Sequence, residues 1–184
     1  MKKYSIIYAD PPWPFNFQNR KGLSDDAKAN LYSTMKAQDI VALPVGSIAD
    51  ANCVLFLWVM NSELPLALRC IEAWGLPIRL LRSTGLRRQR RANTFSAGGT
   101  GRVVIQNCAY WQRKKSQKRK SASVRELVVS PRREHSRKPD EIREMIVWLC
   151  GDVPRVELFC RYPEIGWDVW GNEVECTAEL GSAV

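Results

Sequence analysis

Tyr4-Ser5-Ile6-Ile7-Tyr8-Ala9-Asp10-Pro11-Pro12-Trp13-Pro14-Phe15 (YSIIYADPPWPF) is the stretch whose reading decides the fold. Its first six residues are uncharged, mostly β-branched or aromatic, and predict a buried strand over 4–9. Asp10-Pro11-Pro12 stops that strand. In a parallel α/β sheet, ligands bind beyond the carboxyl ends of the strands. A carboxylate followed by two prolines at that place predicts a rigid, acceptor-rich turn. Neither proline has an N–H, and their carbonyls are expected to stay free to accept hydrogen bonds. Trp13 and Phe15 are expected to add a flat aromatic face. Acceptors for an exocyclic amine beside an aromatic platform are what recognition of a nucleobase amine needs. The bare tripeptide reads equally as an acidic strand end followed by a buried Trp.

Outward from this motif the chain alternates strands and helices. Asn16–Leu31 is polar and reads as a loop, and Ser33–Leu43 as a short helix ending near Pro44. Cys53–Met60 (CVLFLWVM) is continuously apolar, as a strand covered on both faces is. Ser62-Glu63 opens an amphipathic helix to Trp74, with Gly75 at its end. Glu126–Val129 reads as a short strand. Lys138-Pro139-Asp140-Glu141 starts a helix, because Pro is tolerated in a first turn and acids favour a helix N-terminus; Gly151 ends it after Cys150. Arg155–Arg161 (RVELFCR) and Trp167–Trp170 (WDVW) read as the last strands. By period 2, Glu157, Phe159 and Arg161 share one strand face, which places a candidate site at the strand's mouth; a strand-end salt bridge explains the two charges equally well. Together these elements predict one α/β domain over residues 1–184 with a mostly parallel sheet.

Composition fits that reading. The chain has 184 residues, 45% hydrophobic and 26% charged, enough for one domain with a real core. No apolar run reaches the roughly 18 residues of a membrane span, and the first strand begins too soon for a signal peptide, so a cytoplasmic protein without membrane partners is expected. Cys53, Cys70, Cys108, Cys150, Cys160 and Cys176 form no CxxC pair, and His135 is the single histidine. Neither a zinc cluster nor a disulfide framework is expected. The net charge of +9 is unevenly spread: 13 of the 28 Lys and Arg lie between Arg79 and Lys120, where there is no acid. The other 15 stand against 19 acids, a balance of −4.

In its flanked form, YADPPWPF resembles the signature of the MT-A70-type adenine-N6 methyltransferases, the small prophage members in particular. The resemblance covers residues 1 to about 75 and about 120 to 174, continuing through SASVRELVVSPRREHSRKPDEI, VPRVELFCR and GWDVWGNEV. It implies a Rossmann-like class I methyltransferase fold with permuted motif order, the catalytic motif preceding the cofactor strand. It implies S-adenosyl-L-methionine as methyl donor and the N6 amine of adenine, in DNA, as acceptor, with no metal and no covalent intermediate. The catalytic motif is then Asp10, Pro11, Pro12 and Trp13, with Asp10 and the Pro11 carbonyl accepting hydrogen bonds from the amine. Lys138 corresponds to a lysine that pairs with the methionine carboxylate, and its place near a helix N-terminus suits an anion. Glu157, Phe159 and Arg161, with Asn172 and Glu173, are the other implied cofactor-binding residues. His135 acquires no role. Two other readings stay open: a non-catalytic, basic nucleic-acid-binding remnant, and a methyltransferase acting on RNA or on a protein amide.

About Leu76–Lys120 the resemblance lapses, and the stretch follows neither period. A basic linker or DNA-binding arm is one explanation. The genetic code supports another. Reading the third base of each codon with the first two of the next, Gly99–Arg113 (GTGRVVIQNCAYWQR) permits Tyr-Trp-Thr-Arg-Gly-Asn-Pro-Glu-Leu-Cys-Leu-Leu-Ala-Thr. The same shift lets Thr84–Gln89 (TGLRRQ) read Trp-Ala-Lys-Thr-Thr. Both are what the resemblance implies there. A compensated frameshift, entered near 76–80 and left near 116–120, accounts for the missing acids, the arginine excess and the lost period together. As written, the segment is expected not to supply a buried strand readily, since inward arginines lack partners.

Overall fold

The computed structural model describes residues 1–14, 34–76, 84–88, 104–112, 120–121, 123–124, 127–131 and 137–181. Among the described residues seven strands form one sheet: β1 (Tyr4–Ala9), β2 (Ala49–Met60), β3 (Thr84–Arg88), β4 (Val104–Gln112), β5 (Leu127–Pro131), β6 (Arg155–Leu158) and β7 (Asp168–Trp170). Their order is β5-β3-β4-β2-β1-β6-β7. β1 runs parallel to β2 and β6, β6 to β7, and β3 to β5; β4 is antiparallel to both of its neighbours. The α/β class and the mostly parallel sheet are as the sequence predicts.

Period-2 alternation along β1 and β2 divides the core into two layers. Ile7, Ala9, Leu55, Leu57 and Val59 pack with Ile40 of α1 (Ala37–Val41) and with Ala67, Cys70 and Ile71 of α2 (Leu64–Ala73). Ile6, Tyr8, Val54, Phe56 and Trp58 pack on the other face with Ile142, Ile146 and Cys150 of α3 (Glu141–Cys150). That two-sided burial is why CVLFLWVM is apolar throughout. Gly75 (φ +67°) and Gly151 (φ +91°) take the left-handed or extended positive-φ conformations that end α2 and α3.

Three expectations are corrected. The first helix is Ala37–Val41, shorter than Ser33–Leu43. The VELFCR strand stops at Leu158, because Phe159 adopts φ +61°; the alternation cannot carry Phe159 and Arg161 onto the face of Glu157. The basic segment does supply strands: β3 and β4 both lie within it, and β4 pairs with β2 from Val54↔Gln112 to Met60↔Gln106. The physical reason is local. Val104–Gln112 (VIQNCAYWQ) holds no charge and is rich in β-formers, and the basic residues flank it. Phe15, the 16–31 loop and His135 lie outside the described residues.

Candidate active site

β1 and β6 end side by side. Ala9 pairs with Leu158, and the Asp10 amide donates to the Leu158 carbonyl at 3.5 Å. Asp10 and Phe159, the residues that follow, therefore meet at the carboxyl edge of the sheet. The segment before α3 brings Arg137, Lys138 and Pro139 to the same edge. The resulting cleft is lined by Tyr8, Asp10, Lys138, Arg143, Glu157 and Phe159, with Arg137, Pro139, Asp140, Arg161 and Tyr162 completing it, and encloses about 30 Å³.

At its centre the Lys138 ammonium donates to Asp10 Oδ2 at 2.5 Å, with the two side chains 10% and 24% exposed. Lys138 also lies 5.4 Å from the centroid of the Trp58 ring, a cation–π contact. Trp58 Nε1 donates to the Tyr8 hydroxyl at 2.6 Å. On the cleft wall Arg143 Nε and Nη2 donate to the two oxygens of Glu157 at 2.7 and 3.0 Å, and Nη2 donates to the Tyr162 carbonyl at 3.0 Å. Burial pushes the Glu157 carboxyl above its usual value, opposed by the hydrogen bonds and charge of Arg143. Burial works against the Arg143 cation, but Glu157 outweighs it and holds the guanidinium above its ordinary value. Phe159 packs edge-on against Trp170, with centroids 5.4 Å apart and planes at 81°.

Of the residues singled out from sequence, Asp10, Lys138, Glu157, Phe159 and Arg161 come together in one cleft. Asn172 and Glu173 lie exposed on the turn after β7 and do not line it. The proline turn differs from expectation in two ways. The Pro11 carbonyl accepts the Trp13 amide at 2.9 Å, and the Pro12 carbonyl accepts the Met35 amide at 3.0 Å. Lacking N–H groups, the prolines cannot satisfy one another, and the compact turn brings other amides to their oxygens. A carbonyl has a second lone pair, so Pro11 keeps acceptor capacity. Trp13 is 4% exposed, packs in the core and donates Nε1–H to the Trp58 carbonyl at 2.8 Å. It anchors the turn and presents no open face. Arg143 is the buried charge of the site that sequence reasoning missed, and Tyr8, Arg137 and Tyr162 are cleft residues it did not single out either. The signal for Arg143 is a charge inside the buried stripe of α3, between Ile142 and Ile146.

Among the described residues there is no cluster of metal-ligating side chains, and no helix is long and apolar enough to cross a membrane. Over 94% of its length the chain is 26% identical to the type II methyltransferase M.MunI of a Mycoplasma species, and covers 78% of that protein. It is 27% identical to a putative N(6)-adenosine-methyltransferase MT-A70-like protein of Medicago truncatula and 24% identical to the N(6)-adenosine-methyltransferase catalytic subunit METTL3 of Homo sapiens. Those matches again take in 94% of this chain but 26% and 28% of the relatives, so it spans about a quarter of their length. The MT-A70 signature runs over residues 4–173, from the first residue of β1 to the turn beyond β7. With the Asp10–Lys138 cleft inside that span, the chain belongs to the MT-A70 family of adenine methyltransferases.

Proposed function

We propose that the chain transfers the methyl group of S-adenosyl-L-methionine to the N6 amine of adenine in DNA, and that the cleft between β1, β6 and α3 is where it does so. The carrying observation is that a carboxylate and a lysine ammonium share one cleft at the sheet's carboxyl edge. The Lys138 ammonium fits the carboxylate of the cofactor's amino-acid end, and the Phe159 ring offers an apolar wall for its nucleoside. When bound, S-adenosyl-L-methionine supplies an electrophilic methyl on a sulfonium.

The chain's own part is binding, orientation and electrostatics. Lys138 holds the donor carboxylate. Asp10 Oδ2 and the spare lone pair of the Pro11 carbonyl accept the two N–H bonds of the adenine amine. Accepting both raises electron density on nitrogen and aims its lone pair at the methyl. A proton leaves the amine as the N–C bond forms, and Asp10 is the acceptor placed to take it. Pro12 and Trp13 fix the turn; Arg143 and Glu157 brace the wall; Arg161 is the remaining cofactor-side residue of the cleft, whereas Asn172 and Glu173 stand outside it and would reach the donor only from the turn after β7. DNA is favoured because the relative matched over most of its length is a type II methyltransferase.

The test is methyl incorporation into duplex DNA, and into RNA of the same sequence, by the chain and by its frame-corrected counterpart. Asp10→Asn should lose transfer by at least about 100-fold, the scale of one positioned acid–base group, while donor affinity stays within a few-fold. Full transfer by Asp10→Asn overturns the assignment. Transfer to RNA alone replaces the acceptor and leaves the site standing.

A further inference from the structure

The two residues that this reading gives to different ligands are bonded to each other. Lys138 already donates to Asp10 Oδ2, 2.5 Å away, so a donor carboxylate competes with Asp10 for the ammonium. An ammonium on that oxygen draws its electron density away and makes Asp10 a weaker acceptor for an amine. Each ligand therefore competes with this contact. We propose that the Asp10–Lys138 ion pair is a latch: the carboxylate of the donor takes Lys138, releases Asp10, and only then does the site bind the adenine amine.

This deepens the proposed function and rests on it. The physical content is a differential affinity. A ligand shifts an equilibrium only by binding one state better than the other. The donor carboxylate offers Lys138 an exchange of one anionic partner for another, so the cation is never stripped of its pair. Trp58, 5.4 Å from the ammonium, gives Lys138 a second contact near the exchange. An adenine amine has no charge to offer Lys138 and cannot open the latch itself. Donor-first order follows. The demethylated product keeps its carboxylate, so it holds the latch open as well.

The experiment measures how tightly the full chain binds two oligonucleotides, by fluorescence anisotropy. One carries adenine at the target position. The other carries purine, which lacks the exocyclic amine, so their affinity ratio isolates the contact to Asp10 from phosphate binding by the basic segment. Without ligand the ratio should lie near one. S-adenosylhomocysteine should raise it by roughly 5- to 150-fold, the usual range of coupling between sites. 5′-Methylthioadenosine, which lacks the carboxylate, should leave it near one. Lys138→Met should show the raised ratio with no ligand present. A ratio already high in the unliganded chain, or equally raised by both thioethers, overturns the latch while leaving the methyltransferase reading intact. Failure of S-adenosylhomocysteine to bind in a direct calorimetric titration overturns that reading and the latch with it.

Discussion

Arg143 carries the largest single electrostatic commitment on the cleft wall, since it and Glu157 are 9% and 7% exposed. The pair is bidentate, and Arg143 also caps the Tyr162 carbonyl. Removing one member leaves a charge buried without its partner, which costs about 3–5 kcal/mol, whereas an apolar pair of similar volume is often neutral. Arg143→Met should therefore destabilise the chain by about that amount in urea unfolding, and Arg143→Met with Glu157→Leu should recover most of it. The single variant has a pH signature. Burial then acts on Glu157 without the guanidinium, so its folded-state value rises further above 4.5. A carboxyl that holds its proton more tightly when folded contributes stability on the acid side and loses it as pH rises. The deficit of Arg143→Met should be smallest near pH 4.5 and grow toward neutrality. A pH-independent deficit would show that packing, not charge, is what Arg143 supplies.

At the end of β6 the backbone of Phe159 turns left-handed, at φ +61°, a conformation that disfavours L-residues by about 1–2 kcal/mol. The turn is what carries its ring to the cleft and onto Trp170. Phe159→Ala loses the ring and keeps the strain, whereas Phe159→Gly loses the ring and the strain together. Glycine should be the more stable variant by about 1 kcal/mol, the reverse of the ordinary order in regular structure, while both variants bind S-adenosylhomocysteine several-fold more weakly. Equal stability of the two would mean the turn is unstrained in solution. This element also shows where sequence reading stops. β1 and β2 are legible because burial on two faces leaves an apolar run, and α3 because Pro139 and Gly151 bracket an amphipathic stripe. The bend at Phe159 has no marker, since a positive φ on a bulky residue is imposed by its surroundings. The Asp10–Lys138 contact spans 128 positions, and only folding brings its members together. β4 is hidden by averaging, because the arginines around it mask an uncharged nine-residue strand, and β3 is hidden because Arg87 and Arg88 make up two of its five residues.

Over the whole molecule one segment sets the charge. Without Arg79–Lys120 the chain is acidic by −4, and with it the net charge is +9. The fold gives the frameshift reading a place to stand, because the permitted shifted peptides fall on the two strands of this segment. Trp-Ala-Lys-Thr-Thr overlies β3, and Leu-Cys-Leu-Leu-Ala falls within Val104–Gln112, which is β4. Both frames thus write a strand where the sheet has one. In the order β5-β3-β4-β2, β4 is an interior strand, and interior strands favour continuous apolar runs. Over Asn107–Gln112 the shifted run is Leu-Cys-Leu-Leu-Ala where the written strand has Cys108-Ala109-Tyr110-Trp111, so both are apolar there and the two frames differ in the charge around the strand. Written as it stands, the segment also brings 13 positive charges and no acid, so its binding to nucleic acid should be non-specific and should fall steeply with salt through counterion release. We therefore expect the chain with residues about 78–118 restored to the alternative frame to be the more stable of the two, and to bind donor analogues more tightly. A ligand present at 100 times its dissociation constant adds about 2.7 kcal/mol to the folded state. For a chain of this size that is a rise of roughly 5–10 °C in Tm. Thermal unfolding of both versions, with and without S-adenosylhomocysteine, should show that rise in the restored chain and a weaker, less cooperative transition in the written one. If the written chain already melts cooperatively and shifts by the same amount, β3 and β4 are adequate as they are, and the basic segment is a tolerated part of the fold.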